Sequence, residues 1–166
     1  MTAISIRPEA PSDIAAIHQI TQDAFRDMPF SDGDEPELVD ALRRDGDLTL
    51  SLIAETAGQL VGHIAFSRVT ISDGTADWYG LGPVSVTPEL QGQSIGSQLV
   101  TNGIAAMRDR GARGIILLGN PDYYRRFGFE HDPKLTYPGP PPEYFQRLVL
   151  EGAAPCGIVT YAKAFG

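Results

Sequence analysis

Between Val86 and Ile95 the chain passes from an apolar, strand-like run, through a turn that holds Gly92, into a stretch with helical periodicity. A strand, a glycine turn and a helix start in that order gather several unbonded backbone N–H groups at the positive end of a helix dipole. Such a place favours phosphate, and glycine lets a bulky anion approach the main chain. The turn and first helical residues are Gln91, Gly92, Gln93, Ser94, Ile95, Gly96 and Ser97. Strand-turn-helix units also carry glycine for packing alone, so the local pattern leaves both readings open.

A second group of chemistry-bearing residues lies at Asn120-Pro121-Asp122-Tyr123-Tyr124-Arg125-Arg126-Phe127-Gly128-Phe129. Pro121 is suited to open a helix and Gly128 to end it. A phenol near pKa 10 stays protonated at neutral pH and can give its proton to a departing anion. The tyrosines can equally anchor an amphipathic turn, with Phe127 and Phe129 as core. Arg125 and Arg126 suit phosphate oxygens or form a solvated helix face. The Asn120 amide can bond a ligand or cap the helix that starts at Pro121.

A catalytic base is less visible. His63 falls in an apparent strand, as a core or edge residue or as a base. Glu35, Glu37 and Glu89 are candidates by charge and position alone. Cys156 is the single cysteine, which excludes an internal disulfide framework and a multi-cysteine zinc site. Between Pro155 and Gly157 it is expected to be an ordinary small apolar residue at a turn or strand start. No metal site is expected.

The elements that must position these groups fit one domain over residues 1–166, because 166 residues suit a single core. Hydrophobic residues at 42% and charged residues at 20% are the balance of a globular protein. The net charge of −8 repels nucleic acid and anionic membranes. It would attract amines, and it also serves solubility. No window approaches a membrane span and Met1–Arg7 has no secretory pattern, so a cytoplasmic protein with neither membrane nor nucleic acid as partner is expected.

Ile4 and Ile6 alternate as on a strand that Arg7-Pro8 ends. Helical spacing follows from Asp13 through Ile14, Ile17, Ala24 and Phe25, with Ser12 and Asp13 placed to cap the first turn. An acidic loop over Met28–Pro36 leads to a helix through Leu38, Val39 and Leu42. Leu48–Thr56 and Gln59–Thr70 form a hairpin around Ala57-Gly58, with Gly62 marking a bulge. A strand over Asp77–Val86 is interrupted at Gly80-Leu81-Gly82-Pro83. The long helix presents Ile95, Leu99, Val100, Ile104 and Met107 on one face and stops at Gly111. Ile115–Leu118 is a strand buried on both faces. Pro133–Pro142 reads as a loop, and Gln146–Leu150 and Ile158–Tyr161 as final strands.

The segment Leu81–Leu99, with Gln91 and Gly96 at the ends of its turn motif, closely resembles the coenzyme A signature of the GNAT superfamily of acyl-coenzyme A-dependent N-acyltransferases. Ser94 stands where glycine is usual there. Tyr124, four residues before Gly128-Phe129, resembles the second family signature. The resemblance extends to the closing Gly157–Phe165, similar to small stand-alone bacterial members. A Rossmann alternative lacks its parallel βαβ unit and acidic ribose ligand.

The resemblance implies an α/β (α+β) fold: a mixed, mostly antiparallel twisted sheet of about seven strands flanked by about four helices. That sheet would be splayed between the two strands that hold coenzyme A. It implies acetyl-coenzyme A as acyl-donor co-substrate and direct acetyl transfer to a primary amine of a small molecule or peptide in a ternary complex. Tyr124 would be the acid. Val84, Ser85 and Val86 would meet the pantetheine arm, Gln91–Ser97 the pyrophosphate, and Asn120 and Arg126 further parts of the cofactor. The acceptor would be lined by Phe25–Glu37, Trp78, Tyr79 and Pro141–Phe145. The alternatives are a non-catalytic acyl-coenzyme A sensor, a longer-chain acyltransferase or a protein N-terminal acyltransferase. A homodimer is compatible with all of them.

Overall fold

The computed structural model describes residues 3–26, 28, 31 and 33–166. Asp27 and three members of the acidic loop, Pro29, Phe30 and Asp32, lie outside the described residues. Strand β1 is Ser5–Pro8, and a 3-10 turn over Pro11–Asp13 leads into helix α1, Ile14–Phe25. Asp13 stands at the N-cap of α1 without a side-chain cap; its carboxylate instead accepts the Ala10 N–H at 2.7 Å, before the 3-10 turn, and pairs with Arg7 at 2.8 Å. Helix α2 is Glu35–Asp45.

The hairpin forms as β2, Leu48–Thr56, and β3, Gln59–Arg68. Its register slips between Ala54↔Gly62 and Glu55↔Leu60, so the bulge falls beside Gly62, at Val61. Thr70 does not continue β3: with Ile71 it forms β4, which joins a separate small sheet. Strand β5 is Trp78–Val86, helix α3 is Ile95–Asp109, and strand β6 is Gly114–Leu118. Helix α4 is Pro121–Tyr124, extended by a 3-10 turn over Arg125–Phe127. Leu135–Thr136 is β7, a two-residue strand inside the tail that the sequence marks as loop. Strands β8, Phe145–Val149, and β9, Gly157–Thr160, complete the chain.

The central sheet holds six strands in the order β1-β2-β3-β5-β6-β8, and β4-β9-β7 form a three-stranded sheet. Only β5 and β6 run parallel in the central sheet; its other pairs are antiparallel. The mixed α/β class and four helices therefore follow expectation, with the strands divided between two sheets. Helix α3 covers one face, where Leu99, Val100 and Met107 pack on Leu52, Ile64 and Phe66. Each such buried side chain contributes about 1.5–3 kcal/mol. Helices α1 and α2 cover the other face, where Ile17 and Val39 pack on Ile53.

The interruption in β5 is a bulge. Ile64 opposes Val84 and Phe66 opposes Leu81, so Ala65 alone faces Gly82 and Pro83. A bulge bends its strand and increases the local twist. Here it follows directly on the last β5–β6 pair, Gly80↔Ile116. Beyond that pair β5 continues to Val86 without β6 beside it, and the sheet opens into a gap.

Candidate functional site

The gap and the start of α3 form one site. Thr87 N–H donates to Val61 C=O at 2.9 Å, so Thr87, and by alternation Ser85, turn their main-chain groups towards β3. The N–H and C=O groups of Val84 and Val86 consequently face the other way, into the gap. The Gln91 side chain reaches back across it and donates from Nε2 to Val86 C=O at 3.1 Å. The side chain of Ser85 projects from the sheet face opposite to Val84 and Val86, and is fully buried.

At the helix start, Gly92 has φ +82° and Ser94 φ +68°, both left-handed. Serine thus adopts the conformation that glycine takes easily, which costs about 1–2 kcal/mol. Its hydroxyl lies 3.4 Å from Gln98 Nε2 and does not cap the helix. The N–H groups of Ile95, Gly96 and Ser97 have no acceptor among the described residues. They border a cleft of about 330 Å³ shared by Val86, Gln91, Gly92, Ser94 and Arg126. A Cβ on Gly96 would make only ordinary contacts, at 3.7 Å from Tyr123 Oη and 3.8 Å from Val86 Cγ2. The fold itself therefore leaves room for a side chain there, and the glycine keeps that space open to the cleft.

Two cleft residues escape the sequence reading, Leu90 and Tyr123. The Tyr123 hydroxyl is 2.9 Å from Ser97 Oγ, which ties α4 to the first turn of α3. Arg126 stacks on the Tyr123 ring at 4.4 Å and donates from Nε to Tyr123 C=O at 2.9 Å. Its remaining guanidinium N–H groups are held over a cleft whose other polar groups are uncharged. Of the two arginines expected near phosphate, only Arg126 borders this cleft.

Tyr124 packs behind Tyr123, edge-on, with ring centroids 4.9 Å apart, and against Phe129 at 6.1 Å. Burial, aided by Tyr123, pushes its phenol up to about 12. A Cβ on Gly119 would lie 2.5 Å from Tyr124 Cε2, so the bare Cα at the end of β6 is what admits the ring. No sequence motif marks that requirement. Asn120 caps α4, its Oδ1 accepting Asp122 N–H at 2.9 Å, and like Gln93 it is exposed and does not line the cleft.

Several expected acceptor residues lie elsewhere. Trp78 and Tyr79 are core side chains, 1% and 9% exposed, because the strand they open is covered on both faces. Cys156 is exposed and not an apolar packing residue; its N–H bonds Asp73 at 3.0 Å at the edge of β9. Glu37 and Glu89 are exposed, whereas Glu35 accepts the Ser31 hydroxyl at 2.6 Å beside a pocket of about 320 Å³ with Gln22, Phe25 and Arg26. Pro142 and Phe145 border an apolar pocket of about 230 Å³ with Tyr137 and His131. The first of these pockets lies at the start of α2, but that turn opens with Glu35, Pro36 and Glu37, and its two carboxylates disfavour an anion there. Among the described residues no three His, Cys, Asp or Glu side chains are grouped to hold a metal ion, and no helix is long and apolar enough to cross a membrane.

Comparison with known proteins places the same segments in one family. The acetyltransferase (GNAT) domain matches residues 5–131. The uncharacterized N-acetyltransferase YhbS of Escherichia coli is 34% identical over 167 residues, covering 96% of this chain and 97% of that protein. A GNAT family acetyltransferase from Brucella melitensis, solved in complex with acetyl-CoA, superposes with a TM-score of 0.89 at 48% identity over 99% of both chains. YhbS in complex with CoA superposes with a TM-score of 0.89 at 33% identity, over 99% of this chain and 93% of that one. The family match spans the gap strand, the amide-rich start of α3 and the tyrosine-bearing α4 alike, and the chain belongs to the GNAT acetyltransferase family.

Proposed function

We propose that this protein transfers an acetyl group from acetyl-coenzyme A to a primary amine, by direct attack of the amine on the thioester in a ternary complex. The observation that carries this reading is the start of α3, where three free amides and Arg126 share one cleft beside an open sheet edge. In a chain of net charge −8, a polyanion needs such a local site. The main-chain groups of Val84 and Val86 suit the two amides of a pantetheine arm, which can bond to a free strand edge as a peptide would. The complexes of the two similar structures with acetyl-CoA and CoA support the same assignment.

Acetyl-coenzyme A supplies an acyl group already activated as a thioester. The amides of Gln91–Ser97 and the Arg126 guanidinium hold the phosphates, and the gap-facing groups of Val84 and Val86 align the arm. A main-chain N–H near Val86 meets the oxygen that becomes negative as the carbonyl is attacked. Tyr124 gives its proton to the departing thiolate. Its raised pKa keeps the phenol protonated at working pH, and the same low-polarity surroundings penalise the thiolate that takes the proton.

The test is release of free thiol from acetyl-coenzyme A in the presence of a panel of primary amines. Wild type should release thiol with at least one amine, which a non-catalytic binding module would not. Tyr124→Phe should retain acetyl-coenzyme A affinity and lose about 10²-fold in kcat. Full turnover by a folded Tyr124→Phe protein would remove the acid from Tyr124.

A further inference from the structure

On the α1 side of the central sheet lies a chain of polar side chains that the coenzyme A cleft does not use. His63 is fully buried in β3, with Nε2 2.7 Å from Ser51 Oγ on β2. Ser51 makes a short hydrogen bond to Glu9 Oε1. Glu9 accepts two further bonds from Arg43 of α2, at 3.1 and 2.8 Å. Burial alone would raise the Glu9 pKa, but the bonds from Arg43 and Ser51 hold it below the usual range, so it is a carboxylate.

These bonds fix the proton positions. A carboxylate only accepts, so the Ser51 hydroxyl donates to Glu9, and its oxygen accepts from His63 Nε2–H. His63 therefore carries a proton on Nε2, and burial, which keeps the ring neutral, leaves a lone pair on Nδ1. That atom has no partner among the described residues, and neither has the Ser85 hydroxyl. Ser85 is the residue directly opposite His63 in the β3–β5 register. Directly opposed residues have Cβ atoms about 4.5–5.5 Å apart, so the two side chains are close neighbours, with no direct bond between them. Two buried, unpartnered polar atoms on directly opposed residues of a strand pair call for a role.

The placement of Ser85 supplies one, given the transfer reaction proposed above. The cleft for the donor lies on the α3 side of the sheet, and that role has the amine reach the thioester from the α1 side. There Ser85 is the hydroxyl-bearing residue of β5 between the gap-facing Val84 and Val86. We infer that Ser85, His63, Ser51 and Glu9 form the proton-release chain of the attacking amine. As the ammonium N–H bond breaks, its proton passes to the Ser85 oxygen while Ser85 gives its own proton to His63 Nδ1. The N–H electron pair stays on the amine nitrogen, which becomes nucleophilic. The imidazolium is offset by Glu9 through Ser51, and its new proton returns through Ser85 to water once product has left.

The charged groups around His63 are few. Glu9 and Arg43 are its near neighbours, Asp40 on α2 bonds Arg43 at 3.3 Å, and His18 on α1 bonds Asp40 at 2.7 Å. The buried face of α1, which is Ile17, Ile20, Thr21 and Ala24, carries no ionisable group, and Thr21 already bonds Ile17 C=O. Burial pushes His63 down to about 4, against the pull of Glu9 and with that of Arg43. Such a group passes a proton on and does not keep it.

The experiment pairs the ring nitrogen resonances of His63, assigned with His63→Gln, with the pH dependence of Ser85→Ala. Removing an unpartnered hydroxyl leaves the fold intact. Thiol release is followed with ethanolamine, benzylamine and a lysine-containing peptide, beside coenzyme A affinity by calorimetry. Ser85→Ala should lose about 10²-fold in kcat/KM near pH 7 and only about 3-fold near pH 10, where alkylamines arrive largely neutral. His63 should be neutral at about pH 7 with its proton on Nε2. An equal loss at both pH values, a proton on Nδ1 or a charged ring at neutral pH would overturn the relay alone. No thiol release from any amine by a wild-type protein that binds coenzyme A would overturn the transfer reaction and the relay with it.

Discussion

Acidification acts on this fold through His63, and the size of the effect follows from its burial. The ring titrates near 6.5 when exposed and at about 4 in the folded protein, first because burial penalises its charge and further because Arg43 stands nearby. A histidine with a lowered folded pKa contributes stability that is whole above 6.5 and lost as pH falls towards 4. The difference corresponds to about 3 kcal/mol, or a shift of about 1–2 M in a urea midpoint. The perturbation is His63→Gln, whose amide keeps an N–H for Ser51 and has no proton to gain. Asp13 is held below its ordinary range and keeps its charge over this window, and the bonds from Arg43 and Ser51 that hold Glu9 low against its burial are present in both proteins. Urea midpoints near pH 7 and pH 4 should show wild type losing about 3 kcal/mol more than the variant. Parallel losses would mean that His63 accepts its charge without penalty, and the account of it as a sealed, neutral ring would fail.

Two further substitutions probe the ligand cleft and the acid. Ser94→Gly relieves a left-handed serine but loosens the unfolded chain, so stability should change by under about 1 kcal/mol and coenzyme A should bind at least as tightly; a large loss of affinity in calorimetry would assign the hydroxyl a phosphate contact. Gly119→Ala places a methyl 2.5 Å from the Tyr124 ring. It should lower kcat at least about 10-fold by displacing the phenol, and stability by about 1–3 kcal/mol, while coenzyme A affinity stays the same. Unchanged turnover would separate Tyr124 from the chemistry.

Local pattern made much of this fold readable. Alternation and a glycine turn marked the β2–β3 hairpin, and the apolar stripe from Ile95 to Met107 marked α3 with the turn before it. What escaped depends on approach between distant segments. Strands β4 and β7 have two residues each, too short for any periodicity, and exist because β9 lies between them. The break at Gly82-Pro83 was visible, but that it opens the sheet depends on where β6 stops pairing. Ser51, His63 and Glu9 come together from two strands and the segment after β1, with Glu9 42 positions from Ser51 and 34 from Arg43, and no spacing announces them. Tyr123 looked like a packing partner of Tyr124, and its place in the cleft is set by Ser97. Trp78 and Tyr79 carried aromatic character that suited a substrate wall, yet both faces of β5 are covered at that end.

The proposed function has acetyl-coenzyme A held by the main chain at the start of α3. Titration of the labelled protein with acetyl-coenzyme A, followed through backbone amide resonances, shows whether it binds there. The largest shifts should fall on the amides of Gln91–Ser97, with smaller ones at Val84, Val86, Tyr123 and Arg126. Saturating ligand that leaves Ile95, Gly96 and Ser97 unmoved, or shifts centred on the pocket of Tyr137 and Phe145, would contradict it.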